Sequence, residues 1–525
     1  MFDVLIVKNL IISFLFTVLL VGAVSAQQLP PLPVMLSVKA VQKTGQMPGA
    51  VLDRSENVYK VEAHTLEEAL QTLMKEKVIH YFPDDLFTQQ IREMNPHLSG
   101  KQLCDAGVFV VPQLFESPAE KRYGFNYGAR QPWIRSEQEA SEHLQKLLAS
   151  YTTLEQWEAR KKMLRENILR QAQLDPLPRK NPLNPIYGKP RSYKGYSVTA
   201  VGLEILPGYW FCGQLYQPTN VKGKTPAMLC PHGHFFNTKD TFLITERGHF
   251  RPEHQIRCAM LAQMGITIFS YGMFAFGGEL SLQIPFHGNH THPFALTMQF
   301  WNAMRALDFL CSLETVDQTR IGTTGASGGG TQSFMISAVD PRITFSVPIE
   351  MISAYFYGGC ACESGWPIHQ THGGLNTNNA EIAAMTAPRP QLLISITDDW
   401  TKNNPTVEIP YLKKIYGLYG KVENIENVHL DEQHDYAYTK REPMYDFVTR
   451  VCNIDAQKFK DAQGRYDEKN AIVENPEKML VFGNGRIING YYVLQPVKTR
   501  PMLPASDIHG LDDLIRVFRQ QQQSR

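Results

Sequence analysis

The sequence feature that most constrains the fold is the pattern Gly-Ala-Ser-Gly-Gly at residues 325–329, which lies between a predicted strand and a predicted helix. Residues 321–324 have the character of a strand end, and residues 331–339 carry apolar side chains at helical spacing. A strand that turns directly into a helix holds the residue at the turn in a strained backbone conformation, with its side chain directed away from both elements. Glycine is needed two residues to either side, because strand and helix pass too closely there for a Cβ atom. The pattern therefore predicts that the hydroxyl of Ser327 projects from a sharp turn.

From residue 196 onwards, short apolar strands alternate with amphipathic helices. Such alternation is typical of the α/β class, with a mostly parallel sheet and helices on both of its faces. Strands are predicted at residues 209–216, 227–230, 266–270, 345–349, 391–396 and 422–430, and helices at 253–264, 297–313 and within 443–452. The carboxyl ends of parallel strands meet at one edge of a sheet, so side chains that follow different strands can converge there.

Candidates for a catalytic base and a catalytic acid follow the later strands. A serine hydroxyl is a weak nucleophile until a base takes its proton, and the base needs a carboxylate that fixes its tautomer. His434 lies in a polar loop after the last predicted strand and is the candidate base. Asp399 directly follows the strand before it, beside Trp400, and is the preferred acid. Its neighbour Asp398 and the strand-end carboxylate Glu350 are the alternatives.

Two backbone groups are predicted to stabilise an oxyanion. The N–H of Gly328 lies at the start of the predicted helix and points to where a tetrahedral intermediate would carry its charge. The second donor is expected in the loop after the predicted strand at 227–230, where residues 231–234 read Pro-His-Gly-His. Gly233 lets the backbone approach closely, and the N–H of His234 or of Phe235 is the predicted donor.

Histidine clusters raise the alternative of a metal site. His232 and His234 have no accompanying Asp or Glu, whereas His287, His290 and His292 follow a glycine-rich loop. We expect these last three to contact substrate or to pack their loop, with metal binding as the alternative. The sequence contains no pair of C-x-x-C zinc half-sites, so no metal and no cofactor is predicted.

The chain resembles the acetyl xylan esterase branch of the α/β-hydrolases over roughly residues 150–455. The segments that carry the resemblance are residues 325–332, 340–343, 358–363, 399–401 and 433–436. This branch is similar in its core to the dienelactone hydrolases and prolyl oligopeptidases. The chain departs from the pattern at residues 270–274, which lack the acidic residue expected beside the strand end.

The resemblance implies an α/β-hydrolase fold and a carbohydrate O-ester as substrate. The predicted site consists of the triad Ser327, Asp399 and His434, the oxyanion donors Gly328 and His234, and the substrate contacts His232, Trp400 and Glu363. The predicted function is removal of O-ester groups, acetyl first, from a polysaccharide or oligosaccharide through an acyl-serine intermediate. A methylesterase on uronic acid esters, a peptidase of prolyl-oligopeptidase type and a glycan-binding protein without catalysis are the alternatives.

The N-terminal residues have the pattern of an export signal. Lys8 precedes an apolar run at residues 10–23 that is short for a membrane span, and small residues follow it at 24–26. We expect residues 1–26 to be a signal peptide and the mature chain to begin near Gln27, in the periplasm or outside the cell, without stable membrane insertion. An uncleaved membrane anchor is the alternative.

Further segments flank the predicted hydrolase domain at residues 191–455. Residues 27–56 are expected to be a linker, and 121–190 a helical lead-in with a buried stripe of Trp157, Leu164, Ile168 and Ala172. Residues 57–120 resemble a lysin-motif sugar-binding module, with strands at 58–63 and 107–112 and helices at 65–73 and 87–95; a small packing domain without a ligand is the alternative. Residues 456–525 contain a predicted strand at 491–494 and a last helix, and no role is assigned to them.

Composition excludes some partners. The 525 residues carry a net charge of +1, and no basic face indicates a nucleic acid. Most of the eight cysteines are expected to be buried thiols. Cys360 and Cys362 are separated by a single residue, which is a poor geometry for a disulfide between them.

Overall fold

The computed structural model describes residues 34–40, 52–55, 58–63, 107–111 and 135–524, except 220, 235–246, 275–278, 280–293, 359–361, 364–367, 369–374, 489–490 and 494. These residues belong to two compact units. The first contains a small sheet, and the second contains everything from residue 135 onwards.

The small sheet has four strands in the order β2-β3-β1-β4: β1 (Val34–Ala40), β2 (Leu52–Ser55), β3 (Val58–Ala63) and β4 (Gly107–Val111). Strand β1 pairs in parallel with β3 and antiparallel with β4. Strands β3 and β4 coincide with predicted strands, whereas β1 and β2 lie where a linker is expected. The alternation of apolar residues in β1 is a strand signal that the preceding prolines obscured. The predicted helices at 65–73 and 87–95 and the predicted signal peptide lie outside the described residues.

The second unit is built on a ten-stranded sheet. Its strands are β5 (Ile186–Tyr187), β6 (Arg191–Tyr193), β7 (Tyr196–Leu206), β8 (Tyr209–Pro218), β9 (Thr225–Leu229), β10 (Thr267–Tyr271), β11 (Val316–Ala326), β12 (Phe345–Ile349), β13 (Gln391–Ile396) and β14 (Ile425–Leu430). They are ordered β14-β13-β12-β11-β9-β10-β8-β7-β5, with β6 paired to β7. Strands β9 to β14 run parallel, and β8, β7 and β5 are antiparallel to their neighbours. The predicted mostly parallel sheet is confirmed.

The helices of this unit are α1 (Glu137–Ser150), α2 (Leu154–Gln171), α3 (Pro252–Gln263), α4 (Phe294–Ser312), α5 (Gly328–Val339), α6 (Asn379–Ala384), α7 (Ile409–Leu418), α8 (Tyr438–Val451) and α9 (Leu511–Gln523). Helix α5 is buried along its whole length, which agrees with its apolar sequence. Single helical turns lie at Gly248–Phe250, Asn404–Glu408, Val422–Asn424, Ala456–Phe459, Glu468–Asn470 and Pro476–Met479. Among the described residues, no helix combines the length and apolar character that crossing a bilayer requires.

The helical lead-in forms two helices because a second capping box interrupts it. The Thr153 side chain accepts from the Gln156 N–H, and the Gln156 side chain accepts from the Thr153 N–H, so α2 begins anew at residue 154. The predicted stripe is confirmed, since Trp157, Leu164, Ile168 and Ala172 are all fully buried.

The C-terminal extension is part of the hydrolase core. Phe518 of α9 lies in the main hydrophobic cluster, and Phe482 packs edge-on against Trp210 with ring centroids 5.9 Å apart. Its hairpin joins β15 (Arg486–Ile488) to β16 (Tyr491–Val493), close to the strand predicted there. The Gln522 side-chain amide donates to the carbonyl of Gln173 at 2.8 Å, so the end of the chain is bonded to the segment after α2.

The cysteines in the described residues are mostly buried thiols, as expected. Cys212, Cys230, Cys258 and Cys452 are free and buried, and Cys311 is free and half-buried. Cys362 is disulfide-bonded, and its partner lies outside the described residues.

Candidate active site

Ser327 occupies the turn between β11 and α5, with φ 56° and ψ −125°. A positive φ in a residue with a Cβ costs on the order of 1–3 kcal/mol and needs support from its surroundings. The Ser327 N–H donates to the Ile349 carbonyl at 3.0 Å, which ties the turn to β12. A Cβ on Gly325 would lie 2.6 Å from the Gly329 backbone, and one on Gly329 would lie 2.6 Å from the Pro231 carbonyl oxygen. The glycines of the motif are therefore required by space, as predicted.

His434 and Asp399 form a hydrogen-bonded pair. Nδ1 of His434 lies 2.8 Å from Oδ2 of Asp399, which is fully buried. The other carboxylate oxygen accepts from the N–H and the hydroxyl of Thr401, at 2.6 and 2.5 Å. Asp398 is exposed. The turn after β13 directs the second of the two aspartates inward, so the structure brings Asp399 to the imidazole.

Glu350, the alternative acid, lies behind the same imidazole. Its Oε2 is 3.4 Å from Nδ1 of His434, and its Oε1 is 2.8 Å from Nζ of Lys440. Both Glu350 and Lys440 are fully buried, and Glu350 has a positive φ of 52°. Burial raises the pKa of Glu350 to about 8. Burial lowers the pKa of His434, but the carboxylates of Glu350 and Asp399 outweigh it, so this pKa is raised overall. The arrangement stabilises an imidazolium ion.

Lys440 is the member of this group that sequence reasoning missed. It lies in the first turn of α8, within the charged run at residues 440–442. Such a run predicts a solvated helix face, and nothing local indicates that its lysine is buried.

Trp400 supports His434 from the side. Its ring stacks on Phe356 with centroids 4.3 Å apart and lies 4.8 Å from the His434 ring. Only 2% of Trp400 is exposed. The predicted substrate contact is thus a buried residue packed against the imidazole.

His232 bonds to the backbone just after β9 and just after β10. Its Nδ1 is 3.0 Å from the Gly233 carbonyl oxygen, and its Nε2 accepts from the Met273 N–H at 2.9 Å. These contacts specify the neutral tautomer with the proton on Nδ1. His232 was predicted to contact substrate, but both of its ring nitrogens form hydrogen bonds with the protein backbone.

His234 and Glu363 lie together over the first residue of α5. A Cβ on Gly328 would be 2.6 Å from Nδ1 and Cε1 of His234 and 3.4 Å from Oε1 of Glu363. Nδ1 of His234 is 3.6 Å from the same Glu363 oxygen, and its Nε2 is 3.1 Å from the Cys362 sulfur. The structure therefore brings three predicted site residues, Gly328, His234 and Glu363, to the N-terminus of the helix that Ser327 caps.

Other predicted site residues lie outside the part of the chain that the structure describes. Phe235, the alternative oxyanion donor, and His287, His290 and His292 lie outside the described residues. Within the described part of the chain, the one group of three side chains that could jointly ligate a metal is Glu350, Asp399 and His434. Their atoms contact one another, Lys440 and Thr401, an arrangement that suits a catalytic base held by its acid.

Comparisons with known proteins give the family of the chain. No protein-family model matches the chain, and no curated protein does. Among solved structures, the methylesterase BT1017 is 30% identical and superposes with a TM-score of 0.65, over 88% of this chain and 97% of its own. A CE15 glucuronoyl esterase from Teredinibacter turnerae is 15% identical, with a TM-score of 0.44 over 60% and 92% of the two chains. An acetyl xylan esterase from Paenibacillus sp. R4 is 17% identical, with a TM-score of 0.36 over 55% and 93%. The chain belongs to the carbohydrate esterases of the α/β-hydrolase fold.

Proposed function

We propose that the protein hydrolyses carboxylic esters on a polysaccharide or oligosaccharide, with Ser327 as nucleophile, His434 as general base and Asp399 as the triad acid. The observation that carries the proposal is the 2.8 Å bond from His434 to a fully buried Asp399, whose second oxygen is fixed by Thr401. A base held in one tautomer by an ordered carboxylate is what a serine nucleophile requires. The strained backbone of Ser327 supports its role as the attacking residue.

The reaction proceeds in two halves. Nε2 of His434 takes the proton of Ser327 as the hydroxyl oxygen attacks the ester carbonyl, and the Gly328 N–H and a second N–H from the His234 loop stabilise the oxyanion. The imidazolium then gives its proton to the leaving alcohol, and the C–O bond of the ester breaks. Water, deprotonated by the same imidazole, attacks the acyl-serine and releases the acid.

A methyl ester of a uronic acid is the substrate that we place first. The solved structure with 30% identity is named a methylesterase, and the match covers 97% of that protein's chain. In such an ester the sugar lies on the acyl side and methanol leaves. An acetyl ester, which the resemblance of residues 325–332 to acetyl xylan esterases favours, is the second candidate. In that ester the sugar hydroxyl is the leaving group.

The experiment is a release assay on methylated and acetylated glycans, with methanol and acetate measured separately. We expect methanol release by the wild type, and a loss of at least about 1000-fold in Ser327→Ala and His434→Ala. Asp398→Asn is the matched control for Asp399→Asn, because Asp398 is its exposed neighbour. Unchanged turnover in Ser327→Ala would refute the serine mechanism, and acetate without methanol would reverse the order of the substrates.

We also propose that the protein is exported. The apolar run at residues 10–23 and the small residues after it support this. N-terminal sequencing of protein expressed from the full gene tests it, and a mature chain that still begins at Met1 would contradict cleavage.

A further inference from the structure

His434 lies in the loop between β14 and α8, which forms neither helix nor strand. No regular ladder of backbone hydrogen bonds therefore holds the proposed base. Two side chains from the first turn of α8 bond to this loop instead. The Lys440 ammonium donates to the Gln433 carbonyl. The Arg441 guanidinium donates to the Tyr436 carbonyl at 2.8 Å, so the loop is tied to the helix on both sides of His434.

The ammonium group of Lys440 contacts three oxygens. Besides the Gln433 carbonyl, these are Oδ1 of Asp435 at 2.6 Å and Oε1 of Glu350 at 2.8 Å. A lysine ammonium has three N–H donors and no acceptor, so three oxygens match its capacity. Two of them belong to the residues on either side of His434. The third belongs to the carboxylate behind the imidazole.

The cost of burying Lys440 indicates a role other than stability. Taking an ammonium ion out of water is costly, and a buried ion pair is often no more stable than apolar side chains of the same volume. An apolar side chain, however, could not bond to three separate oxygens. Lys440 joins the end of β12, through Glu350, to the loop and to its own helix. It therefore fixes where the loop lies relative to the carboxylate behind the imidazole.

We propose that Lys440 is a positioning residue for the catalytic base. It holds the His434 loop in one place relative to Glu350, so that the imidazole keeps its hydrogen bond to Asp399 and a single tautomer. Lys440 is fully buried and acts through His434 rather than on the ester. The catalytic consequence rests on the proposed function, whereas the fixing of the imidazole does not.

Lys440→Ala tests the catalytic consequence on a soluble ester, with rates expressed per folded molecule from urea unfolding curves. We expect kcat to fall by about 100-fold, because a small displacement of the base removes its alignment. KM should change by about twofold or less, since Lys440 makes no contact with substrate. A residue that only stabilised the fold would leave the rate per folded molecule unchanged.

Propylammonium and 1-propanol separate the charge of the deleted side chain from its volume. Propylammonium should raise kcat of Lys440→Ala about tenfold, and saturably, because it remakes charge-assisted bonds to the three oxygens. The neutral alcohol should not. Lys161→Ala is the matched control, since Lys161 is half-buried and donates to the Ala387 carbonyl at 2.8 Å instead of to the His434 loop. Its kcat should equal that of the wild type, and its response to the amine measures aminolysis of the acyl-serine.

A second measurement needs no ester. The ¹⁵N chemical shifts of labelled histidine report the ring tautomer, and the His434 signals are assigned by their loss in His434→Gln. We expect neutral His434 to carry its proton on Nδ1 in the wild type and in Lys161→Ala, and to be a mixture of tautomers in Lys440→Ala. If the wild type cleaves no ester, the proposed function fails, and the tautomer alone decides the role of Lys440.

The proposal would be overturned by a wild-type kcat per folded molecule in Lys440→Ala, by an unchanged tautomer, or by equal rescue with 1-propanol. If Lys440→Ala does not fold, Asp435→Ala decides instead. The Asp435 side chain is half-exposed and supplies one of the three oxygens. Its removal should lower kcat by about three- to tenfold with KM unchanged, and a wild-type kcat in Asp435→Ala would then overturn the proposal.

Discussion

Glu350→Gln tests how the charge behind His434 sets its basicity. The substitution keeps the size of the side chain and removes the carboxylate whose Oε2 lies 3.4 Å from Nδ1 of His434. Asp399 is left in place, so the tautomer of the imidazole is still fixed. We expect the pKa of His434 to fall, because the charge of Glu350 is the largest single contribution that raises it.

The size of the effect follows from the distances. Two unit charges 3.4 Å apart interact by about 5 kcal/mol at an effective dielectric constant of about 20. Burial raises the pKa of Glu350 to about 8, so only part of this charge is present in the pH range where His434 titrates. We therefore expect a loss of about 1.4–3 kcal/mol, which lowers the pKa of His434 by about 1 to 2 pH units.

The assay is the pH dependence of kcat/KM on a soluble ester. The neutral imidazole is the active form, so kcat/KM rises with pH through the pKa of His434. In Glu350→Gln this acid limb should move about 1 to 2 pH units lower, and the plateau kcat should fall by about tenfold or less, since the base is weaker.

Glu408→Gln is the matched control for this experiment. Glu408 is also buried, and burial raises its pKa to about 7, but it bonds to the Ala354 N–H at 2.9 Å instead of to His434. The acid limb of the kcat/KM profile of Glu408→Gln should coincide with that of the wild type. If the limb of Glu350→Gln also stays in place, Glu350 does not act on the imidazole and the electrostatic reasoning is refuted.

Three further substitutions test other parts of the site and fold. Asp399→Asn should lower kcat by about 1000- to 10,000-fold, whereas Asp398→Asn should leave it nearly unchanged; equal losses would contradict the assignment of the acid. Gly328→Ala should lower kcat/KM by about 100-fold or more, because its Cβ would meet an imidazole ring at 2.6 Å; wild-type kinetics would show that this ring is free to move. Phe482→Ala should reduce the free energy of unfolding in urea by about 3–5 kcal/mol. Its control Met502→Ala, at a half-exposed position, should reduce it by at most about 0.5 kcal/mol, and similar losses in the two variants would argue against a core role for Phe482.

Local patterns predicted the centre of the fold well. Strands β12 and β13 have the predicted bounds, and the serine turn has the predicted strand before it and helix after it. These features depend on the spacing of apolar residues and of glycines within about ten positions, which can be read directly from a sequence.

Features that depend on distant partners were not accessible in this way. The path of the turn after β13 decides which of Asp398 and Asp399 reaches the imidazole. Lys440 is buried because it pairs with Glu350, which lies 90 positions earlier in the chain. A helix is predicted within residues 443–452, which does not extend before Pro443; a proline N lacks the N–H that interior helix positions need. The helix instead begins at Tyr438 and accommodates Pro443 within it.

The bond between Gln522 and Gln173 joins segments that lie 349 positions apart in the chain. The same helix places Phe518 against Phe294 of α4, with ring centroids 5.2 Å apart. A chain cut before α9 therefore leaves apolar core surface open to water, and a stop codon placed before residue 511 should give a product that stays sensitive to protease.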